Sequence, residues 1–127
     1  VVLCDRYADS TLAYQGYGHG LDLGELQTIL DFATGGLSPD LTIYLDLQPE
    51  KGLMRRKQGT LFGEDWNRLD NMKLSFHRRV YKGYSELMKR DMRRWARVDA
   101  DQSAELVTAS IINVLKSRLP RVAGKVT

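Results

Sequence analysis

Three short apolar runs punctuate this chain, and each stops at a polar residue. They cover residues 1–5, 41–47 (LTIYLDL) and 95–98. Near-continuous apolar runs of this length mark strands buried on both faces, as in parallel sheets. Segments with three- and four-residue apolar spacing lie between them. Parallel strands need a crossover of a dozen or more residues, usually a helix. The alternation predicts an α/β fold, a parallel sheet covered by helices with right-handed crossovers. At 127 residues the chain reads as a single domain, 1–127.

The helical segments carry their own punctuation. Asp9 or Ser10 is placed to cap a helix running to about Gly16, with Gly16, Gly18 and Gly20 in an irregular loop. Asp22 caps a second helix over 23–33, with Leu26, Ile29, Leu30 and Ala33 facing inward. Gly35 and Gly36 end it. Pro49 suits the first turn of a third helix, which carries Leu53, Met54, Arg55, Arg56 and Lys57. Residues 58–66 have no period and read as a loop. A long helix follows over 68–90, with a core stripe of Leu69, Met72, Phe76, Val80, Tyr84 and Leu87. The last helix covers 103–119, with Ala104, Val107, Ile111, Val114 or Leu115, and Leu119 inward. Pro120 stops it and a frayed tail follows.

Composition excludes several classes. The one cysteine, Cys4, rules out a disulfide framework and reads as a small core residue in a reducing cytoplasm. His19 and His77 fall in different segments, and no Cys/His cluster has zinc spacing. No run reaches the length of a membrane span, and no signal peptide is expected. A net charge of +3 suits an anionic small molecule without calling for nucleic acid.

Three places can carry chemistry. Asp5-Arg6 ends the first expected strand, and ligands of open α/β sheets sit at such ends. Arg6 can grip a phosphate through two charge-assisted bonds, and Asp5 can hold that arginine or a hydrated metal ion. Ser10, Thr11, Tyr14 and Gln15 follow at spacings that let several share a helix face. The second place is Arg55, Arg56 and Lys57, with Arg68 across a glycine-containing loop. Phosphoryl transfer needs such positive charge over the moving group, although a solvated helix end accounts for the run equally well. The third is Asp99-Ala100-Asp101-Gln102, a turn that could contact a base or simply cap a helix.

These residues together resemble the thymidylate kinase family. The match rests on Asp5-Arg6-Tyr7, Ser10-Thr11 and Ala13-Tyr14-Gln15-Gly16. It continues through Pro39-Asp40-Leu41-Thr42, Tyr44-Leu45-Asp46, Arg68-Leu69-Asp70 with Phe76 and Tyr84 beyond, and Asp99-Ala100 with Gln102. The resemblance implies a P-loop nucleoside-monophosphate kinase fold and transfer of the γ-phosphoryl of ATP to dTMP, with Mg2+. By position, Arg6 would hold the dTMP phosphate, and Asp5 would lie near that phosphate and the magnesium shell. Thr11, helped by Ser10, would meet the thymine edge. Tyr14 would pack under the deoxyribose, and Gln15 would lie near base and sugar. Residues 55–68 would form a lid whose Arg55 and Arg56 assist transfer. Arg68, Ala100, Asp101 and Gln102 would border ATP, and the family's homodimer would be expected.

The chain also departs from that family. Where Asp-Arg-x-Glu is usual after the lid, it has Asn67-Arg68-Leu69-Asp70. It contains no Gly-x-x-x-x-Gly-Lys-[Ser/Thr] phosphate loop, so the resemblance covers only the family's C-terminal portion. The expectation is a fragment, incomplete at the N-terminus and inactive alone. In the family, the strand before the phosphate loop would lie between the runs at 1–5 and 41–47. The rival expectation is a relative without that loop, which binds a nucleotide or a partner without catalysis.

Overall fold

The computed structural model describes residues 1–58 and 68–123, with side chains for 1–58 and 71–121. Of the loop expected at 58–66, Gln58 is helical instead; the rest of it, Asn67, the side chains of Arg68, Leu69 and Asp70, and the tail from residue 124 lie outside the described residues. The chain forms two compact units. One comprises Cys4–Ser38 and Gln48–Arg90, and the other Val1–Leu3, Pro39–Leu47 and Asp91–Thr127.

The first unit is helical. Helix α1 (Ala8–Thr11) runs directly into a π-helix, Leu12–Gly18. The expectation had been an α-helix to Gly16 followed by a glycine loop. Instead the chain takes in an extra residue per turn: the His19 N–H donates to Tyr14 C=O, five positions back, at 3.0 Å. Tyr7 is the N-cap and no side chain caps it, so neither Asp9 nor Ser10 takes that role. Helix α2 (Leu23–Thr34) follows its local signals. The Glu25 N–H donates to Asp22 Oδ1 at 2.9 Å, and Gly35 closes the helix with φ +62°. Its inward face is thinner than expected: Leu26 and Leu30 are half-buried, while Ile29 and Ala33 are exposed.

Helices α3 (Pro49–Gln58) and α4 (Arg68–Arg90) complete the unit. The π-helix packs chiefly on α4. Leu12, Ala13, Val80 and Leu87 are buried, and Phe76 and Tyr84 half-buried. Met72, expected in the stripe, is exposed. Glycines make the close approach possible. A Cβ on Gly83 would lie 2.6 Å from Tyr17 Cγ, and one on Gly18 would lie 2.6 Å from Phe76 Cε2. Arg79 Nε donates to Gly18 C=O at 3.0 Å, tying the end of the π-helix to α4.

The second unit holds the sheet. Strands β1 (Thr42–Asp46) and β2 (Trp95–Asp99) pair in parallel, with Thr42 opposite Trp95 and Asp46 opposite Asp99. Trp95 and Val98 are its buried apolar residues, and the Tyr44 and Trp95 rings meet edge to face at 6.3 Å. Helix α5 (Ala104–Arg118) is capped by Ser103 and packs on β2. Val107, Ile111, Val114 and Leu115 are half-buried, but Ala104 is exposed. Leu119 ends α5, and Pro120 opens a short helix, α6 (Pro120–Ala123).

The expected strand at 1–5 does not form. Val1, Val2, Leu3 and Cys4 are exposed and irregular, so Cys4 is not a core residue. A strand exists only through a neighbour that takes up its N–H and C=O groups, and no described residue pairs with this segment. The described sheet is therefore two-stranded, with the helix-rich α/β character that the alternation predicted.

Candidate active site

Arg6 is the residue around which the first cluster forms. It is the one non-glycine residue with positive φ among the described residues, at 64°. A side chain other than glycine in this region costs about 1–3 kcal/mol, and such outliers gather at functional sites. The bend at residues 5–6 turns the chain into α1. One residue on, Tyr7 is extended and receives the Ser10 N–H at 2.9 Å.

From this bend Arg6 reaches back over the π-helix. Its guanidinium lies 5.0 Å from the Tyr14 ring centroid, and Nη2 donates to the Tyr14 hydroxyl at 3.4 Å. The cation is exposed and rests on an aromatic face, so its remaining N–H groups can meet an anion. Tyr14 is held by Phe76 of α4, edge to face at 6.0 Å. Ser10 Oγ and the Tyr84 hydroxyl share a hydrogen bond of 2.9 Å. Burial lifts the Tyr84 phenol above the ordinary 10.0, against the opposing pull of the Ser10 bond, so it stays a neutral hydroxyl at physiological pH.

The structure thus brings Arg6, Ser10 and Tyr14 into one network with α4. Thr11 is half-buried on the turn beside Ser10. Gln15 and Asp5 are exposed. Tyr84 is the member that sequence reading placed in the core stripe and in the resemblance without a site role. Its partner Ser10 is 74 positions away, and neither residue's local spacing signals the other.

A second candidate region ends β2. The Ala100 N–H donates to Asp46 C=O at 2.8 Å, extending the ladder one residue past the strand. Asp99 Oδ1 accepts the Asp101 N–H at 2.8 Å, and Asp99 C=O accepts Gln102 Nε2 at 2.8 Å. Both bonds are local to the turn.

Arg55 and Arg56 lie in the last turn of α3 and are exposed, where cations also match the helix dipole. His77 on α4 is pushed below its ordinary range, first by burial and then by the positive charge of Arg56. Among the described residues no group of three or more His, Cys, Asp or Glu is arranged to hold a metal. Asp5 supplies one exposed carboxylate. That suits Mg2+, which keeps waters and relies on substrate phosphates, as a partner for the hydrated ion rather than as a cage. No described helix is long and apolar enough to cross a membrane.

Known proteins resemble this chain along most of its length. The family model described as thymidylate kinase matches residues 1–111. A thymidylate kinase from Roseiflexus castenholzii is 47% identical over 131 aligned positions, covering 96% of this chain and 57% of the relative. One from Synechococcus sp. (strain JA-2-3B'a(2-13)) is 48% identical, covering 94% and 55%. One from Bacillus licheniformis is 46% identical, with the same coverage of 94% and 55%. The chain spans a little over half the length of the relatives it matches.

Proposed function

Because the chain belongs to the thymidylate kinase family, we propose that it supplies the acceptor side of an enzyme that transfers the γ-phosphoryl of ATP to dTMP. In this reading residues 1–127 are part of one P-loop nucleoside-monophosphate kinase domain. The observation that most supports the acceptor role is the strained Arg6 carrying its guanidinium over Tyr14.

The chemistry follows from that placement. Arg6 holds two oxygens of the dTMP phosphate and leaves a third to attack the γ-phosphorus, while the bond to the β–γ bridging oxygen breaks. Tyr14 lies beneath the deoxyribose, where its bulk excludes a 2′-hydroxyl. Thr11 and Ser10 meet the thymine edge, and Tyr84 fixes the Ser10 hydroxyl. Gln15 lies beside base and sugar. Arg55 and Arg56, in the last turn of α3, supply positive charge to the moving phosphoryl. The turn at 100–102 borders ATP. Bound Mg2+ would neutralise charge on the ATP phosphates, with Asp5 orienting its waters. A cytoplasmic enzyme working as a homodimer completes the reading.

Steady-state kinetics of the complete natural protein containing this chain test it. dTMP-dependent ADP formation that is lost in Arg6→Ala is the expected result. An unchanged dTMP KM and kcat in that variant would remove the acceptor assignment.

A further inference from the structure

The end of the sheet holds a buried charge that the mechanism above does not use. Asp46 closes β1, and its side chain is only 9% exposed. Oδ2 pairs with the Arg97 guanidinium on β2. Oδ1 has no hydrogen-bond partner among the described residues. The register sets Arg97 opposite Tyr44 and Asp99 opposite Asp46. The ion pair is therefore diagonal across the ladder, and Asp46 and Asp99 are the residues paired in register at its end.

Stability alone does not account for this arrangement. The pair is buried only on the Asp46 side, so its attraction is screened by solvent around Arg97 and contributes little, while the buried Oδ1 without a partner costs stability. The arrangement does have a geometric effect. The Asp46 side chain draws β2 toward β1 through Arg97, while the Asp46 C=O accepts the Ala100 N–H at 2.8 Å. One residue thus holds both the last rung of the strand and the first residue of the turn. Asp99, directly opposite, accepts the two bonds that shape residues 101 and 102.

We propose that Asp46, acting through Arg97 and the Ala100 N–H, is a positioning residue that sets the 100–102 turn for the base of a nucleoside triphosphate. The proposal rests on the reading that this turn borders ATP. Asp46 itself touches no substrate in it. Arg97, whose side chain is largely exposed, is the adjustable half of the clamp.

The test is substrate-resolved kinetics on the complete natural protein. Asp46→Asn keeps the shape and removes the charge. Its KM for ATP is expected to rise about tenfold. The dTMP KM and kcat are expected to stay within about twofold, which a general loss of folding would not produce. Arg97→Gln should act in the same direction, Arg97→Lys should restore most of the ATP KM, and the double variant should be no worse than the poorer single. An unchanged ATP KM in Asp46→Asn overturns the proposal, as does a proportional loss in both substrates. Gln102→Ala separates the two levels. If it raises the ATP KM while Asp46→Asn does not, the turn borders ATP and the clamp is wrong. If neither moves it, the turn's role fails and the clamp falls with it. Should Asp46→Asn not fold, the exposed Arg97 variants decide by the same KM criterion.

Discussion

The Arg6–Tyr14 region and the Ala100–Gln102 turn solve the same problem in opposite ways. Around Arg6, the candidate groups are fixed by side chains from a helix distant in sequence: Tyr84 on Ser10 and Phe76 on Tyr14. At the turn, the fixing bonds span two or three residues and use the backbone. The first arrangement depends on helix packing and tolerates little change at the contact. The second depends on local hydrogen bonds and on the strand ends that feed it. Damage to packing should therefore strike the acceptor side first, and damage at the sheet edge should reach only the turn.

The largest expected effect breaks the contrast at its centre. In the complete protein, Arg6→Ala should lower kcat/KM for dTMP by about 100-fold or more, because on the proposed reading two charge-assisted hydrogen bonds to the phosphate are lost. The ATP KM should move far less, and equal losses for both substrates would dissolve the distinction between the two regions. Next comes Gly83→Ala. In an ordinary helix interior this change stabilises, yet here the new Cβ would meet Tyr17 at 2.6 Å. Overpacking of about 1–3 kcal/mol should prevail, seen as a lower thermal midpoint. A higher midpoint would show that the π-helix and α4 are not tightly seated.

Tyr84→Phe should cost about 1 kcal/mol in denaturant unfolding, from the lost bond to Ser10. The pH response has a definite sign. The folded phenol titrates above its unfolded value of 10.0, so its contribution is fully present below pH 10. It is lost as pH rises toward the folded value, and Tyr84→Phe should flatten that part of the stability–pH curve. The smallest effect belongs to the local side. Ser103→Ala removes a long 3.4 Å cap bond to the Leu106 N–H and should cost about 0.5 kcal/mol. Its kinetic constants should not change.

What was legible in the sequence divides along the same line. Asp22 and Gly35 around α2, Ser103 before α5, and the two strands 42–46 and 95–99 all announce themselves through neighbours in the chain. Arg6, Ser10 and Tyr14 were legible as candidates, but the Tyr84 bond that organises them was not, because it joins residues 74 apart. The apolar run at 1–5 misled, since a strand needs a ladder neighbour and none is present among the described residues. Asp46 was read only as part of a strand motif. Its burial and its tie to Arg97 follow from register, which composition does not reveal.

The π-helix between Leu12 and Gly18 makes chain length itself a functional variable. Its hydrogen bonds reach back five residues where an α-helix reaches four. Deleting one residue there would let an ordinary helix re-form without loss of a ladder. Because the wider turns absorb about one extra residue, the flanks on either side of the deletion would stay nearly in phase. The residues between them would move instead, each stepping round the axis on one side of the cut, so that Tyr14 would leave Phe76 or Gly18 would leave its seat beside Phe76 and Val80. On the proposed reading the support beneath Arg6 would then be lost inside an intact fold, by a miscount of one residue.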